Sequence, residues 1–381
     1  MTFHTGLDSL ASADALLRGR RLGLMTNQTG VNHALRHASQ LLNERYRLTA
    51  LFAVEHGIRG DIQAGEALTG QEDAATGVPV YAVYGGTHRL TPEMLDAFDV
   101  FCYDIQDVGA RFYTYIYALA FALEACCEAG KPAVVFDRVN PLGGRRVEGT
   151  VLDPRFSSYI GMYPIPTRYG LTVGEYALWV KDHLGLDRLQ LTVVPLEGWR
   201  RGDRPDTLGI PWIAPSPNCP TLHAAECYIG ACVFEATNVS EGRGTTLPFE
   251  YIGAPWIDAL QLEERMNAHS LPGLRFRACW FTPTFSKYTG ETCAGVQMHV
   301  LDRERADAVE GALTLLDELR TLYPDQLELR VSSDGVYTVD KILGTDSWRL
   351  GLHNARSLLE AHRPAREAFR RECRRYLLYE D

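Results

Sequence analysis

Apolar positions come in short continuous runs through the first two hundred residues, with helix-period stretches between them. Residues 20–26 (RRLGLMT), 48–54 (LTALFAV), 79–84 (PVYAVY), 99–104 (DVFCYD), 132–137 (PAVVFD) and 189–195 have the length and apolar character of buried strands. Helices are expected at 33–46, at 91–97 after the Thr-Pro-Glu start, at 112–129 up to Gly130, and at 173–184. Strands that are apolar along their whole length and separated by helices imply an α/β fold, with a mostly parallel sheet covered on both faces.

The texture changes at 199–220 (WRRGDRPDTLGIPWIAPSPNCP), where Pro, Gly, Arg and Trp replace the periodic runs. This reads as a linker or long surface loop. Short strands are expected beyond it at 227–235, 274–281 and 293–301. Helices follow at 306–323 and 355–379, with Pro364 splitting the second or opening a new one. The chain therefore divides into a larger domain over 1–198 and a smaller α+β domain over 199–381.

Hydrophobic residues make up 46% of the 381 positions, enough to bury two cores of this size. The formal net charge of -10 argues against nucleic acid or an anionic membrane as partner, since both need a basic surface. It leaves room for a small anionic substrate held by a few local arginines. No apolar run is long enough to span a membrane, and the first residues lack a basic and apolar leader, so the chain as written is expected in the cytoplasm, or outside it if a leader was removed. Nine cysteines, an odd count without zinc-site spacing, are expected as buried free thiols. Neither GxGxxG nor GxxxxGK[ST] follows a strand, which removes the dinucleotide and nucleotide-triphosphate readings.

In open parallel sheets, ligands bind at the carboxyl ends of the strands. Four expected strand ends carry polar groups beside Gly or Pro: Asn27-Gln28, Glu55-His56 with Arg59, Asp104-Gln106-Asp107 with Arg111, and Asp137-Arg138-Asn140. Glu55 directly follows an apolar strand, where partial desolvation raises a carboxyl toward the range of a general acid. His56 could orient it, bind a metal with Asp104, Asp107 and Asp137, or be a loop histidine. Arg111 could grip an anion or pair with Asp107 or Asp104, and Tyr113 and Tyr115 could stack on sugar or pack the helix. A second dense stretch, Asn238-Val239-Ser240-Glu241-Gly242-Arg243-Gly244-Thr245, places an arginine between two glycines, as a close approach to a ligand requires.

Several of these segments match one family. LMTNQTGV at 24–31, EHGIRGDIQAGE at 55–66, YDIQDVGARFYTYIY at 103–117, DRVNPLGG at 137–144, RYGLTVGEYA at 168–177, PSPNCPTL at 215–222 and NVSEGRGTTLPFEYIGAPW at 238–256 occur in the order found in the exo-acting β-N-acetylmuramidase family, of the NamZ type. The chain resembles that family over most of residues 20–260. The resemblance implies a Rossmann-like larger domain, a smaller second domain and a site in the cleft between them. It implies release of β-linked N-acetylmuramic acid from the non-reducing end of peptidoglycan fragments, with Glu55 as the key glutamate. No cofactor is expected, and no HxH or HExxH spacing supports a metal. The chain departs from the family pattern at Ala53-Val54, where Ser-Pro is expected, and at Val139, where Pro is expected.

This substrate suits the residues. Its lactyl carboxylate calls for an arginine, and Arg59, Arg111, Arg138 and Arg243 are the candidates. Glycoside hydrolysis commonly uses two carboxyl groups. Glu55 is the expected acid, and Asp104 is chosen for the second role over Asp107, Asp137 and Glu241. Asn27, Gln28, His56, Gln106, Tyr113, Asn140, Asn238 and Thr245 complete the expected substrate contacts. Two other functions compete: a non-catalytic muropeptide or sugar sensor, and a metal-dependent hydrolase using His56 and the aspartates.

Overall fold

The computed structural model describes residues 3–60, 72–83 and 88–381. The apolar runs of the first half become strands β1 (Arg21–Thr26), β2 (Arg47–Ala53), β3 (Val80–Ala82), β4 (Val100–Asp104) and β5 (Ala133–Phe136). A two-stranded antiparallel ribbon, β6 (Glu148–Val151) and β7 (Pro166–Arg168), precedes β8 (Leu191–Val194). Six strands pair in parallel in the order β3-β2-β1-β4-β5-β8.

The two-residue period of the strands sorts their side chains onto two faces. Leu22, Leu24, Leu51, Val100, Cys102, Val134 and Phe136 enter one core. Met25, Phe52, Phe101, Tyr103, Ala133 and Val135 enter the other. The first core is closed by α1 (Asp14–Leu17) and α2 (Ala38–Arg45), the second by α4 (Tyr115–Glu128) and α5 (Val173–His183), with α3 (Pro92–Asp96) at its rim. Burial on both faces is why these strands read as continuous apolar runs.

Two helix starts lie later than the sequence suggests. The helix expected from 33 begins at Ala38, because residues 32–36 close a turn and the His37 ring accepts from Ser39 N as the cap. The helix expected from 112 begins at Tyr115, because Ala110 bridges Arg168 and Arg111 N donates to Thr167 O, holding that stretch against the ribbon.

The smaller second domain contains α6 (Leu222–Ala231), β9 (Tyr251–Ala254), α7 (Ala259–Ala268), β10 (Leu274–Phe281), β11 (Cys293–Val300), α8 (Ala308–Leu322), α9 (Thr338–Leu343), α10 (Ala355–Ala361) and α11 (Arg363–Cys373). Its sheet is antiparallel, in the order β10-β11-β9. The strand expected at 227–235 is instead the end of α6 and a 3-10 turn. Nine of the ten residues of α6, from Ala224 onward without a break, are buried, and an all-round apolar helix lacks the periodicity that separates it from a buried strand. Pro364 sits in the first turn of α11, as its fixed φ and missing N–H allow.

The two domains share a core, since Val108, Ala110, Phe112 and Leu142 pack with α6 and α8. The C-terminal segment returns to the larger domain, where Phe369, Cys373 and Tyr376 join the core around Trp179. All nine cysteines are buried and free. No helix among the described residues is long and apolar enough to cross a membrane.

Candidate active site

The strand order reverses between β1 and β4, so a crevice opens at their carboxyl ends. Asn27 and Gln28 leave β1 there, Glu55 and His56 leave β2, Asp104 ends β4, and Asp137 and Arg138 follow β5.

Glu55 sits on a sharp turn. Gly57 N donates to Val54 O at 3.0 Å, and His56 and Gly57 are both left-handed, with φ of 73° and 76°. A left-handed histidine costs roughly 1–2 kcal/mol, so the surroundings must hold it, and the His56 side chain is buried. The Glu55 carboxyl is half-buried and accepts from Thr114 Oγ1 at 3.3 Å. Tyr115 Oη donates to Pro215 O at 2.6 Å and lies 3.5 Å from Glu55 O, which brings the 199–220 loop to the same place.

Aromatic rings build the walls. Tyr113 meets Tyr115 edge-on at 4.8 Å and Tyr228 of α6 at 5.8 Å. Tyr159 stacks on His88 at 3.8 Å. Burial first and the Glu55 charge second hold the Tyr159 phenol well above its usual range, so it stays a donor near that carboxylate. Gln28 Nε2 donates to Ala214 O at 2.8 Å, and Gly60, at φ 75°, lies so close that a Cβ would stand 2.4 Å from the Gln28 side chain. Asn27 Nδ2, Gln28 Oε1 and Tyr113 Oη are buried without a hydrogen bond of ordinary geometry. Such groups cost free energy unless a ligand or water meets them.

The expected aspartates have other work. Arg138 grips both oxygens of Asp104, Nε to Oδ1 at 2.6 Å and Nη2 to Oδ2 at 2.8 Å, with both residues buried. Asp104 is thereby committed to an ion pair across β4 and β5. Asp107 accepts from Gly109 N and the Tyr169 hydroxyl, and burial pushes its carboxyl up to about 6. Asp137 accepts from Arg138 N, Gly174 N, Thr172 Oγ1 and the Tyr379 hydroxyl, and burial pushes it up to about 7. Both therefore hold loops. Gln106 donates to Asp107 O and Val139 O, each at 2.8 Å, and Asn140 donates to Leu171 O and accepts from Leu142 N.

Arg111 departs most from expectation. It pairs with neither Asp107 nor Asp104. It is fully buried and donates to the carbonyls of Thr150, Ile165 and Ile342, at 2.6, 3.0 and 2.6 Å. Burial pulls its pKa down to about 10. It stitches the β6–β7 ribbon to α9 and offers no surface to a substrate carboxylate.

The glycine-flanked arginine does sit in a tight loop. Gly242 and Gly244 have φ of 78° and 81°, and a Cβ on Gly244 would stand 2.4 Å from Phe285 O. Arg243 Nη2 donates to Glu235 Oε1 at 2.6 Å and its Nε lies 3.3 Å from Glu241 Oε1. Its guanidinium stands 5.2 Å over the Phe249 ring, which meets Tyr228. Lys287 Nζ donates to Glu241 Oε2 at 2.8 Å and to the Phe234 and Val239 carbonyls. Burial raises the Glu235 carboxyl, and Arg243 opposes that rise. Thr245 Oγ1 closes the turn onto Gly242 O at 2.6 Å. Asn238 spends its amide on Gln326 O and Glu328 N, outside this network.

Sequence reasoning missed Thr114, Tyr159, Tyr228, Glu235 and Lys287. Thr114 and Tyr228 had signals, the first inside the quoted 103–117 segment and the second on the misread helix. Of the four arginines expected to face a carboxylate, all have partners. Arg59, on the Glu55 loop, pairs with Asp73 and keeps the most exposed side chain, at 42%. His56 does not gather with the aspartates into a ligand set among the described residues. Residues 61–66 of the quoted segment lie outside the described residues.

Comparison with known proteins bears directly on this geometry. Residues 22–223 match the family model of the N-terminal part of the exo-beta-N-acetylmuramidase NamZ, and residues 226–379 match that of its C-terminal part. The chain is 44% identical to the peptidoglycan beta-N-acetylmuramidase NamZ of Bacillus subtilis, covering 99% of this chain and 91% of that protein. Two crystal structures of DUF1343 family proteins from Bacteroides fragilis are similar over the full length of both chains. One has a TM-score of 0.91 at 34% identity, the other 0.77 at 27%.

Proposed function

The chain belongs to the NamZ family of exo-β-N-acetylmuramidases and is a glycosidase acting on peptidoglycan-derived glycans; from that premise we propose that it frees β-1,4-linked N-acetylmuramic acid from the non-reducing end, with Glu55 as its acid. The observation that carries this reading is the placement of Glu55. It is the half-buried carboxyl on a left-handed turn at the sheet's carboxyl edge, met by Thr114 and bordered by Tyr115 and Tyr159.

A carboxyl in such a place gives its proton to the leaving glycosidic oxygen as the bond to C1 breaks, and water then adds at C1 and returns a proton to the carboxylate. The half-buried Tyr113 and Tyr159 offer ring faces to the sugar, while the buried Tyr115 holds the Pro215 loop beside Glu55. The unmet polar atoms of Asn27, Gln28 and Tyr113 suit its hydroxyl and acetamido groups. Arg59, exposed and on the same loop, is our choice for the lactyl carboxylate. Asp104 we assign to positioning, because Arg138 takes both its oxygens.

The reading is tested by product analysis on the disaccharide in which N-acetylmuramic acid is linked β-1,4 to N-acetylglucosamine, and on the longer chain carrying one more such pair. Free N-acetylmuramic acid should appear from both, and from the longer chain as one residue only, leaving a trisaccharide with N-acetylglucosamine at its non-reducing end. Internal cleavage of the longer chain would contradict exo action. Binding of the disaccharide without turnover would favour the sensor reading.

A further inference from the structure

We propose that His4, Asp8 and His33 form a binding site for a divalent transition-metal ion of the zinc class. One donor atom from each lies within 4.8 Å of the other two, and among the described residues this is the group of His, Cys, Asp and Glu that comes together in that way. It shares no residue with the Glu55 cluster, and it does not depend on the glycosidase reading. Asp8 and His33 lie 25 positions apart, so no local spacing announces the group.

The three residues are held in place by the fold. His4 exchanges two backbone hydrogen bonds with Glu197, each 3.0 Å, and Gly6 N donates to Asp137 O, which docks the N-terminal segment on the sheet edge. The Asp8 carboxylate is fixed at one oxygen by Thr5 N and Oγ1, both 2.8 Å, and at the other by His33 N at 3.0 Å and His33 Nδ1 at 2.6 Å. His33 sits in the turn closed by Asn32 N to Arg36 O. The His4 and His33 rings cross edge-on at 5.7 Å.

Two imidazoles and one carboxylate suit Zn²⁺, Co²⁺, Ni²⁺ or Cu²⁺, whereas Mg²⁺ and Ca²⁺ prefer all-oxygen sets. Metal–ligand bonds of about 2.0–2.2 Å put donors about 3.3 Å apart in a tetrahedron, so separations of at most 4.8 Å need close by no more than about 1.5 Å. The ion would replace the proton shared by His33 Nδ1 and Asp8 Oδ1, with water filling the remaining positions. It would tie residues 3–8 to the 29–35 loop. Both segments wall a cavity of about 120 Å³ at the sheet's carboxyl edge, with Phe3, Val31 and Trp212 among its lining.

The test is titration of the full chain, free of any affinity tag, with Co²⁺ and Zn²⁺. Co²⁺ is followed by its visible absorption and Zn²⁺ by calorimetry. One saturable site is expected, with Kd on the order of 10 μM and visible cobalt bands that Zn²⁺ abolishes. His33→Gln and His4→Gln should each weaken it at least about tenfold, and Mg²⁺ should not compete. At a hundredfold excess over Kd, Zn²⁺ should raise Tm by about 3 °C in the native chain and not in the double variant. Unchanged binding in the double variant, or no saturable site below about 1 mM, would overturn the proposal. Circular dichroism of the variants, His33 exposed and His4 half-buried, separates loss of the site from loss of fold.

Discussion

Replacing Asp104 by Asn separates a catalytic role for that carboxyl from the positioning role assigned above. In the native chain Arg138 donates to both oxygens, at 2.6 and 2.8 Å, with 1% and 6% of the two side chains exposed. Removing one member of a buried ion pair costs about 3–5 kcal/mol, chiefly because the remaining charge stays buried. Asn keeps one acceptor for the guanidinium, and Arg138 Nη2 keeps its bond to Val31 O at 2.9 Å, so the lower end, about 3 kcal/mol, is expected. An unfolding entropy of about 2.1 cal/mol/K per residue gives about 0.8 kcal/mol/K for a chain this long, so Tm should fall by about 4 °C. Asp104→Leu with Arg138→Met removes both charges and should recover most of that loss. The assays are thermal unfolding and kcat at a temperature where all variants are folded. The account expects kcat within about fivefold of native in the single variant and in the pair. A drop of a thousandfold or more in folded Asp104→Asn, not restored in the double variant, would refute the positioning assignment and make Asp104 the second catalytic carboxyl.

Other consequences are as specific. Arg111→Met strips donors from three buried carbonyls and should lower Tm by several degrees while leaving KM within about twofold, which thermal unfolding and steady-state kinetics would check. Arg59→Met should raise KM for a β-N-acetylmuramide about 10–100-fold, the loss of one charge-assisted contact, and leave KM for a glucosaminide unchanged. Gly244→Ala forces a Cβ to 2.4 Å from Phe285 O at φ 81°, and should cost at least about 1–3 kcal/mol in denaturant unfolding. Asp137, raised to about 7 by burial, binds its proton more tightly folded than unfolded. Its contribution to stability is fully present below about pH 4 and is lost as pH rises through 7. Asp137→Asn should therefore lower Tm overall but flatten its fall between about pH 4 and 7.

The parallel sheet was legible because burial on both faces leaves an unbroken apolar run, and β1, β2, β4 and β5 each begin within one residue of the expected position. The glycine-flanked arginine was legible for a related reason, since Gly242 and Gly244 occupy backbone conformations that other residues avoid. The helix at Leu222–Ala231 was not, because a segment buried all round has no polar face to reveal its period. Charged residues were the hardest to place. Arg111, Arg138, Asp107 and Asp137 look in sequence like pocket residues, yet Arg138 meets Asp104 34 positions away, Arg111 meets Thr150 39 away, Asp107 meets Tyr169 62 away and Asp137 meets Gly174 37 away, and no local pattern announces these pairs. Lys287, which joins Glu241 from a loop 46 residues on, had no signal for the same reason.

The most direct test of the central claim is the hydrolysis of a chromogenic β-N-acetylmuramide by the native chain and by Glu55→Gln. The carboxamide keeps the size of the side chain and an acceptor for Thr114 Oγ1 but has no proton to give. The account predicts that kcat falls about 10²–10⁴-fold with the thermal midpoint unchanged within about 1 °C. Turnover at the native rate by a folded Glu55→Gln would contradict it.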